Sequence, residues 1–164
     1  MISPSTANVE HPQAQGLAEA MAKNATSDGL TFGLTPSQWG MLVTYMQQFK
    51  AESGQTIIAP GELDRTVYLL ESGSLSVHAE DAKGRIRMAM VTAGTVVGEG
   101  CFFSHMPRCS TVQAAGPSVL WRITAPRFAE LSNRQPLIAL QITMAMAGVL
   151  AKRVRNRPRR VAIT

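Results

Sequence analysis

Gly98-Glu99-Gly100-Cys101-Phe102-Phe103-Ser104-His105-Met106-Pro107-Arg108-Cys109-Ser110-Thr111-Val112 sets a glycine and a carboxylate at the mouth of a short helical stretch. An arginine follows nine residues after the carboxylate, just ahead of a β-prone Ser-Thr-Val. These groups suit a small ligand carrying one phosphate and one sugar hydroxyl. Backbone N–H groups at a helix start attract phosphate oxygens, and an arginine fork adds charge and a bidentate grip. A carboxylate accepts a hydrogen bond from a ribose hydroxyl, as acidic residues do in nucleotide folds generally.

Upstream of this run the pattern is one of short β-rich segments, near 55–59, 66–71, 74–80, 85–92 and 95–97, and downstream at 110–115 and 118–123. Pro60-Gly61, Ser72-Gly73 and Ala82-Lys83-Gly84 punctuate them as turns. Many short strands at regular spacing predict an antiparallel barrel or sandwich. Thr35-Pro36-Ser37-Gln38 carries a helix-start signature. It predicts a helix through Trp39, Leu42, Val43, Met46 and Phe49 on one apolar stripe. After the strands, Thr124 caps a segment running to about Asn133, and Pro136 opens a longer helix to about Arg155.

That last helix carries two apolar stripes. Leu137, Leu140, Met144, Ala147, Ala151 and Val154 form one, and Ile138, Ile142, Ala145 and Val149 the other. A helix with two apolar faces needs two partners, its own domain and, for the second, the same helix of another copy; burial of both faces in its own domain is the alternative. The most apolar stretch, Leu137 to Ala151, falls short of the length an ordinary membrane span requires.

The ordered set of Gly98, Glu99, Arg108 and the Ser-Thr-Val that follows resembles the phosphate-binding cassette of the cyclic-nucleotide-binding domain family. That family includes the catabolite activator protein, the regulatory subunit of cyclic-AMP-dependent kinase and the cyclic-nucleotide-gated channels. Gly54-Gln55-Thr56-Ile57-Ile58 and Val67 through Val77 resemble its early strands. The resemblance covers roughly residues 35 to 155. It implies a mainly β fold, an antiparallel β-roll or jelly-roll barrel of about eight strands, with an N-terminal helix, a short cassette helix and two C-terminal helices. The implied ligand is cyclic AMP or cyclic GMP. Glu99 then holds the ribose 2′-hydroxyl, Arg108 pairs with the cyclic phosphate, and Gly98 lets the backbone come close. Cys101, Cys109 and Ser110 match the small positions that present donors to the phosphate. Gly100 departs from the family, which usually has an aliphatic residue there, and glycine disfavours helix by about 1 kcal/mol relative to alanine. Phe102 and Phe103 match apolar positions that pack the cassette on the barrel. The family's long C-terminal helix swings over the pocket when ligand binds, which places Thr143 and Met144 as candidate lid residues. A hydroxyl after the cassette arginine favours guanine in the family, and Cys109 is a poor substitute.

Composition bounds the rest. At 164 residues and 45% hydrophobic, the chain suits one domain with a core. Residues 1–33 read as a loose arm with a short helix near Leu17 to Ala22, residues 34–155 as the binding domain, and residues 156–164 as a basic tail. Six of the 16 basic residues are Lys152, Arg153, Arg155, Arg157, Arg159 and Arg160, which leaves 10 basic against 11 acidic groups in residues 1–151. The net charge of +5 is therefore a property of the C-terminal end. Such a block reads first as a solvated end, and second as a contact for nucleic acid or an anionic membrane. Two cysteines and the lack of a secretory pattern suit a reducing cytoplasm.

Catalysis and metal binding fit poorly. Cys101, His105 and Cys109 are spaced four apart, but Pro107 interrupts a shared helix and a fourth zinc ligand is not in sight. His11 and His78 have no motif around them, and no base or orienting group accompanies a nucleophile. The expectation is a non-enzymatic sensor without a metal or cofactor, acting alone in the chain and signalling through an effector protein. A ligand-free dimerising adaptor and a nucleic-acid-associated regulator are the other readings. A cyclic dinucleotide, with two phosphates, asks for more basic groups than the cassette offers.

Overall fold

A computed structural model describes residues 12–156. The helices are α1 (Pro12–Lys23), α2 (Pro36–Val43), α3 (Glu99–Ser104), α4 (Ala125–Arg134) and α5 (Pro136–Arg155). The eight strands are β1 (Gln47–Ala51), β2 (Thr56–Ile58), β3 (Val67–Ser72), β4 (Ser74–Glu80), β5 (Ile86–Thr92), β6 (Val96–Val97), β7 (Ser110–Ala114) and β8 (Ser118–Ile123). They form two four-stranded antiparallel sheets, ordered β1-β8-β3-β6 and β2-β7-β4-β5, in a jelly-roll-like arrangement. The expectation of a mainly β fold flanked by helices is met. The strands make two facing sheets and not one closed barrel.

Strand β3 explains the layering. Val67, Tyr68, Leu69 and Leu70 are all buried, so this strand is covered on both faces. A strand buried on both faces reads as a continuous apolar run. Successive side chains point to opposite faces. Tyr68 and Leu70 join Leu75, Val91, Val112 and Leu120 in the core between the sheets. Val67 and Leu69 join Trp121, Ile123 and the helices in a second core on the outer face.

Two elements differ from the sequence expectation. Helix α2 stops at Val43 instead of running to Phe49, and residues 47–51 form a strand. The Thr35 capping box starts the helix, and Thr44 ends it by turning its Oγ1 back to Met41 O at 2.7 Å. Pairing with β8 then outweighs the helical stripe, as Gln47 to Ala51 run against Arg122 to Ser118 in register. Phe49 lies across from Leu120 and edges onto Tyr68 with ring centroids 5.9 Å apart. The second difference is at the N-terminus. The short helix expected near Leu17 to Ala22 is present as α1, but it is not loose. Ala14, Leu17 and Met21 are buried in the outer core with Leu30 from the connector, and residues 1–11 of the expected arm lie outside the described residues.

Helix α5 is 20 residues long with a mean hydropathy of 1.5 over its most apolar window, long and apolar enough by length and composition to cross a membrane. The sequence reading stops its apolar run at Ala151 and so falls short of that length. Its inner stripe, Ile138, Ile142 and Val149 with Ala139 and Met146, is buried in the outer core. Its other stripe stands clear, with Leu137 69% and Met144 65% exposed.

The docked α1 gives a direct test. Leu17 is fully buried, and truncating a buried leucine to alanine costs about 2–5 kcal/mol. Urea denaturation of L17A is expected to show a loss in that range. A loss within about 0.5 kcal/mol, as at exposed positions, would mean that α1 does not sit on the core.

Candidate functional site

Strand β6 delivers the chain to Gly98, which caps α3 with φ at +89° and no side-chain cap bond. Glycine takes this left-handed backbone without strain. It is also required for space, because a Cβ there would lie 2.8 Å from both Arg108 Nη1 and Thr66 O. The first-turn N–H groups of α3 have no intrahelical acceptor, as at every helix start. Residues 105–109 then return the chain past the turn at Gly61. Gly61 N donates to Arg108 O, and Arg108 N donates to Glu62 O, each at 2.8 Å.

These contacts bury Arg108 to 3% exposure. Its Nη1 donates to Gly98 O at 3.0 Å and its Nη2 to Thr66 O at 2.5 Å. Asp64 Oδ2 lies 3.5 Å from Nη2, and the other Asp64 oxygen accepts from Thr66 N and Oγ1. Nε alone, among the buried side-chain nitrogens and oxygens of the described residues, lacks a hydrogen-bond partner. A buried donor left unpaired costs about 1–3 kcal/mol, so this guanidinium carries one unmet hydrogen bond. Tyr68 feels the same surroundings. Burial pushes its phenol above the ordinary value, and the Asp64 charge adds to this while Arg108 opposes it.

Glu99 is also buried, and its Oε1 accepts from Arg153 Nη1 at 2.7 Å. Arg153 belongs to the basic block that reads as a solvated end, yet it turns inward from α5. Thr143 and Met144 lie elsewhere on α5. The Thr143 hydroxyl donates to Ala139 O at 2.8 Å within its own helix, and Met144 faces outward. The contact between α5 and the cassette carboxylate comes ten residues later, about 15 Å along the axis.

The remaining cassette residues form a small shell. Cys101 is buried and its thiol points to Pro107 O at 3.5 Å. Cys109 is exposed, with its sulfur 3.7 Å from Ser110 Oγ. A Cβ on Gly100 would meet nothing within 4 Å, so the position opens into free space. Phe102 anchors α3 on the outer core, edge-on to Phe128 at 4.9 Å, and Phe103 packs beside it. Arg65 caps the helix by donating to Phe102 O at 2.8 Å and lies over the Phe102 ring. Among the described residues, no three His, Cys, Asp or Glu side chains gather as a metal set. His78 pairs with Ser76, and His11 lies outside the described residues.

Arg153, Asp64, Thr66 and Asp28 are the neighbours that sequence reasoning missed. A signal existed for Asp64-Arg65-Thr66, an Asx-turn pattern just before a strand. None existed for Arg153, whose partners are 54 and 125 residues away.

Comparison with known proteins places the chain in a family. An acetyltransferase, Pat, of Mycolicibacterium smegmatis is 32% identical over 105 residues, covering 64% of this chain and 32% of that protein. A cAMP-dependent protein kinase regulatory subunit of Mucor circinelloides is 27% identical over 129 residues, covering 76% of this chain and 29% of that one. The chain thus spans about a third of the length of these curated relatives. The solved structure of a cyclic nucleotide-binding domain from Methylobacillus flagellatus superposes with a TM-score of 0.76 at 20% identity, covering 88% of this chain and 79% of that one. At that identity the likeness speaks for the fold. The sequence model of the cyclic nucleotide-binding domain matches residues 48–135, more than half of the chain, and the chain belongs to that family.

Proposed function

We propose that this protein is a cytoplasmic regulatory sensor that binds one cyclic mononucleotide, cyclic AMP or cyclic GMP, and signals by binding alone. The observation that carries the reading is Arg108, buried, clamped on two carbonyls and left with a free Nε. The cyclic phosphate would sit against this guanidinium and the first-turn N–H groups of α3, with Gly98, Gly100, Cys101, Cys109 and Ser110 forming the walls. Glu99 would accept from the 2′-hydroxyl. The thiol of Cys109 is a weaker donor than a hydroxyl, which favours cyclic AMP over cyclic GMP.

The signal would leave through α5. Ligand shifts a conformational equilibrium only by binding one state better than another, and the Glu99–Arg153 ion pair already joins the pocket to this helix. The effector is a protein partner. The outward stripe of Leu137, Leu140 and Met144 supports pairing with a second copy through α5. The basic C-terminal end is a lesser candidate for nucleic acid or an anionic membrane, since Arg153 is committed inward.

Calorimetric titration with both nucleotides tests the ligand. Wild type is expected to bind, and R108A to bind at least roughly a hundredfold more weakly, since two or more hydrogen bonds to a charged group are lost at about 1.5–3 kcal/mol each. R108K keeps the charge but not the fork and should stay weak, with thermal unfolding checking that both variants fold. Wild type binding neither nucleotide, or R108A binding like wild type, would overturn the assignment.

Sedimentation tests the second surface. Wild type is expected to be a dimer, and L140E with M144E is expected to be a folded monomer. A wild type that stays monomeric at tens of micromolar would remove the pairing through α5.

A further inference from the structure

Arg153 joins three segments that are distant in sequence. Its Nη1 donates to Glu99 Oε1 at 2.7 Å and to Val96 O at 2.9 Å. Its Nη2 donates to Thr95 Oγ1 at 3.1 Å, and its Nε to Asp28 Oδ1 at 3.3 Å. All three guanidinium nitrogens are used. Asp28 lies in the connector that follows α1, and that connector is stitched to the residues leading into β6. Asn24 Nδ2 donates to Ala93 O at 2.8 Å, Leu30 N to Gly94 O at 3.0 Å, and Thr95 Oγ1 to Asp28 O at 2.6 Å. Gly94 is pressed so close to α1 that a Cβ would lie 2.3 Å from Ala20 O. The N-terminal segment therefore reaches the cassette carboxylate through one guanidinium.

Glu99 uses only one oxygen in this network. Its Oε2 accepts no hydrogen bond among the described residues and is not sealed from the surface. A buried carboxylate deprived of its cation turns away toward water. With Arg153 in place, it is held in one orientation and keeps an oxygen to offer.

We infer that Arg153 and Asp28 are positioning residues for the ligand. Arg153 fixes Glu99 so that Oε2 faces the ribose hydroxyl, and Asp28 fixes Arg153, which couples ligand binding to the seating of the N-terminal connector and the end of α5. The inference rests on the sensor reading above. Such coupling is reciprocal, so the ligand tightens the connector as much as the connector favours the ligand.

The experiment titrates cyclic AMP and 2′-deoxy cyclic AMP, which has no hydroxyl for Glu99, into the full chain as wild type, R153M, R153K, D28N, E99Q and the R153M/E99Q double variant. R153M is expected to weaken cyclic AMP roughly tenfold or more and D28N roughly threefold, with R153K between R153M and wild type. All three should bind the 2′-deoxy nucleotide like wild type, and R153M should add nothing to E99Q. A purely structural role would weaken both nucleotides alike, and that outcome overturns the inference. Tighter binding by R153M also overturns it, because Arg153 would then compete with the ligand. Should R153M fail to fold, R153K and D28N carry the same comparison. Wild type that binds neither nucleotide sinks the sensor reading and this assignment together, whereas binding with unaltered variants sinks only this assignment.

Discussion

The buried guanidinium of Arg108 is the constraint on which the site depends. It ties Thr66 O at the entry to β3 to Gly98 O at the start of α3, so the cassette cannot move as a body without breaking charged hydrogen bonds. The cost of leaving any of these groups unpaired in a dry setting is what keeps the loop in one shape. The glycine at position 98 is the other half of the same arrangement, since any side chain there would displace the arginine it faces.

Around that clamp the molecule is layered so that the cassette touches both cores. Val97 is buried between the sheets while its neighbour Val96 faces the helices. Phe102 then fastens α3 to the helical side. The cassette is also joined to α5 and to the connector after α1, because Arg153 pairs with both Glu99 and Asp28. The ion pairs here are partly shielded, which makes them stronger than surface pairs and costlier to break.

The sequence was most legible where local chemistry decides the outcome. Turn glycines at 61, 73 and 84 all take positive φ, and seven of the eight strands follow from β-rich runs between such turns. The capping residues Thr35 and Thr124 mark the helix starts found in the fold. Legibility failed where distant partners decide. The Gln47–Ala51 segment continues an apolar helical stripe, and only its pairing with β8 makes it a strand. Helix α1 has a weak apolar pattern, and the depth of its burial comes from a surface assembled by β3 and α2. The cassette residues are legible through a resemblance, but the carbonyls that hold Arg108 and the cation that holds Glu99 belong to contacts no local pattern encodes.

The layered packing bears on where this fold can be cut. Twelve of the nineteen buried residues in the outer core lie outside residues 48–135, from Ala14 to Val43 and from Ile138 to Val149. A fragment trimmed to residues 48–135 would keep Gly98, Glu99 and Arg108 and yet strip one side of the β1-β8-β3-β6 sheet bare. Fusions and minimal versions of the protein therefore have to carry both flanking regions, because the stretch that matches the family and the folding unit are not the same length of chain.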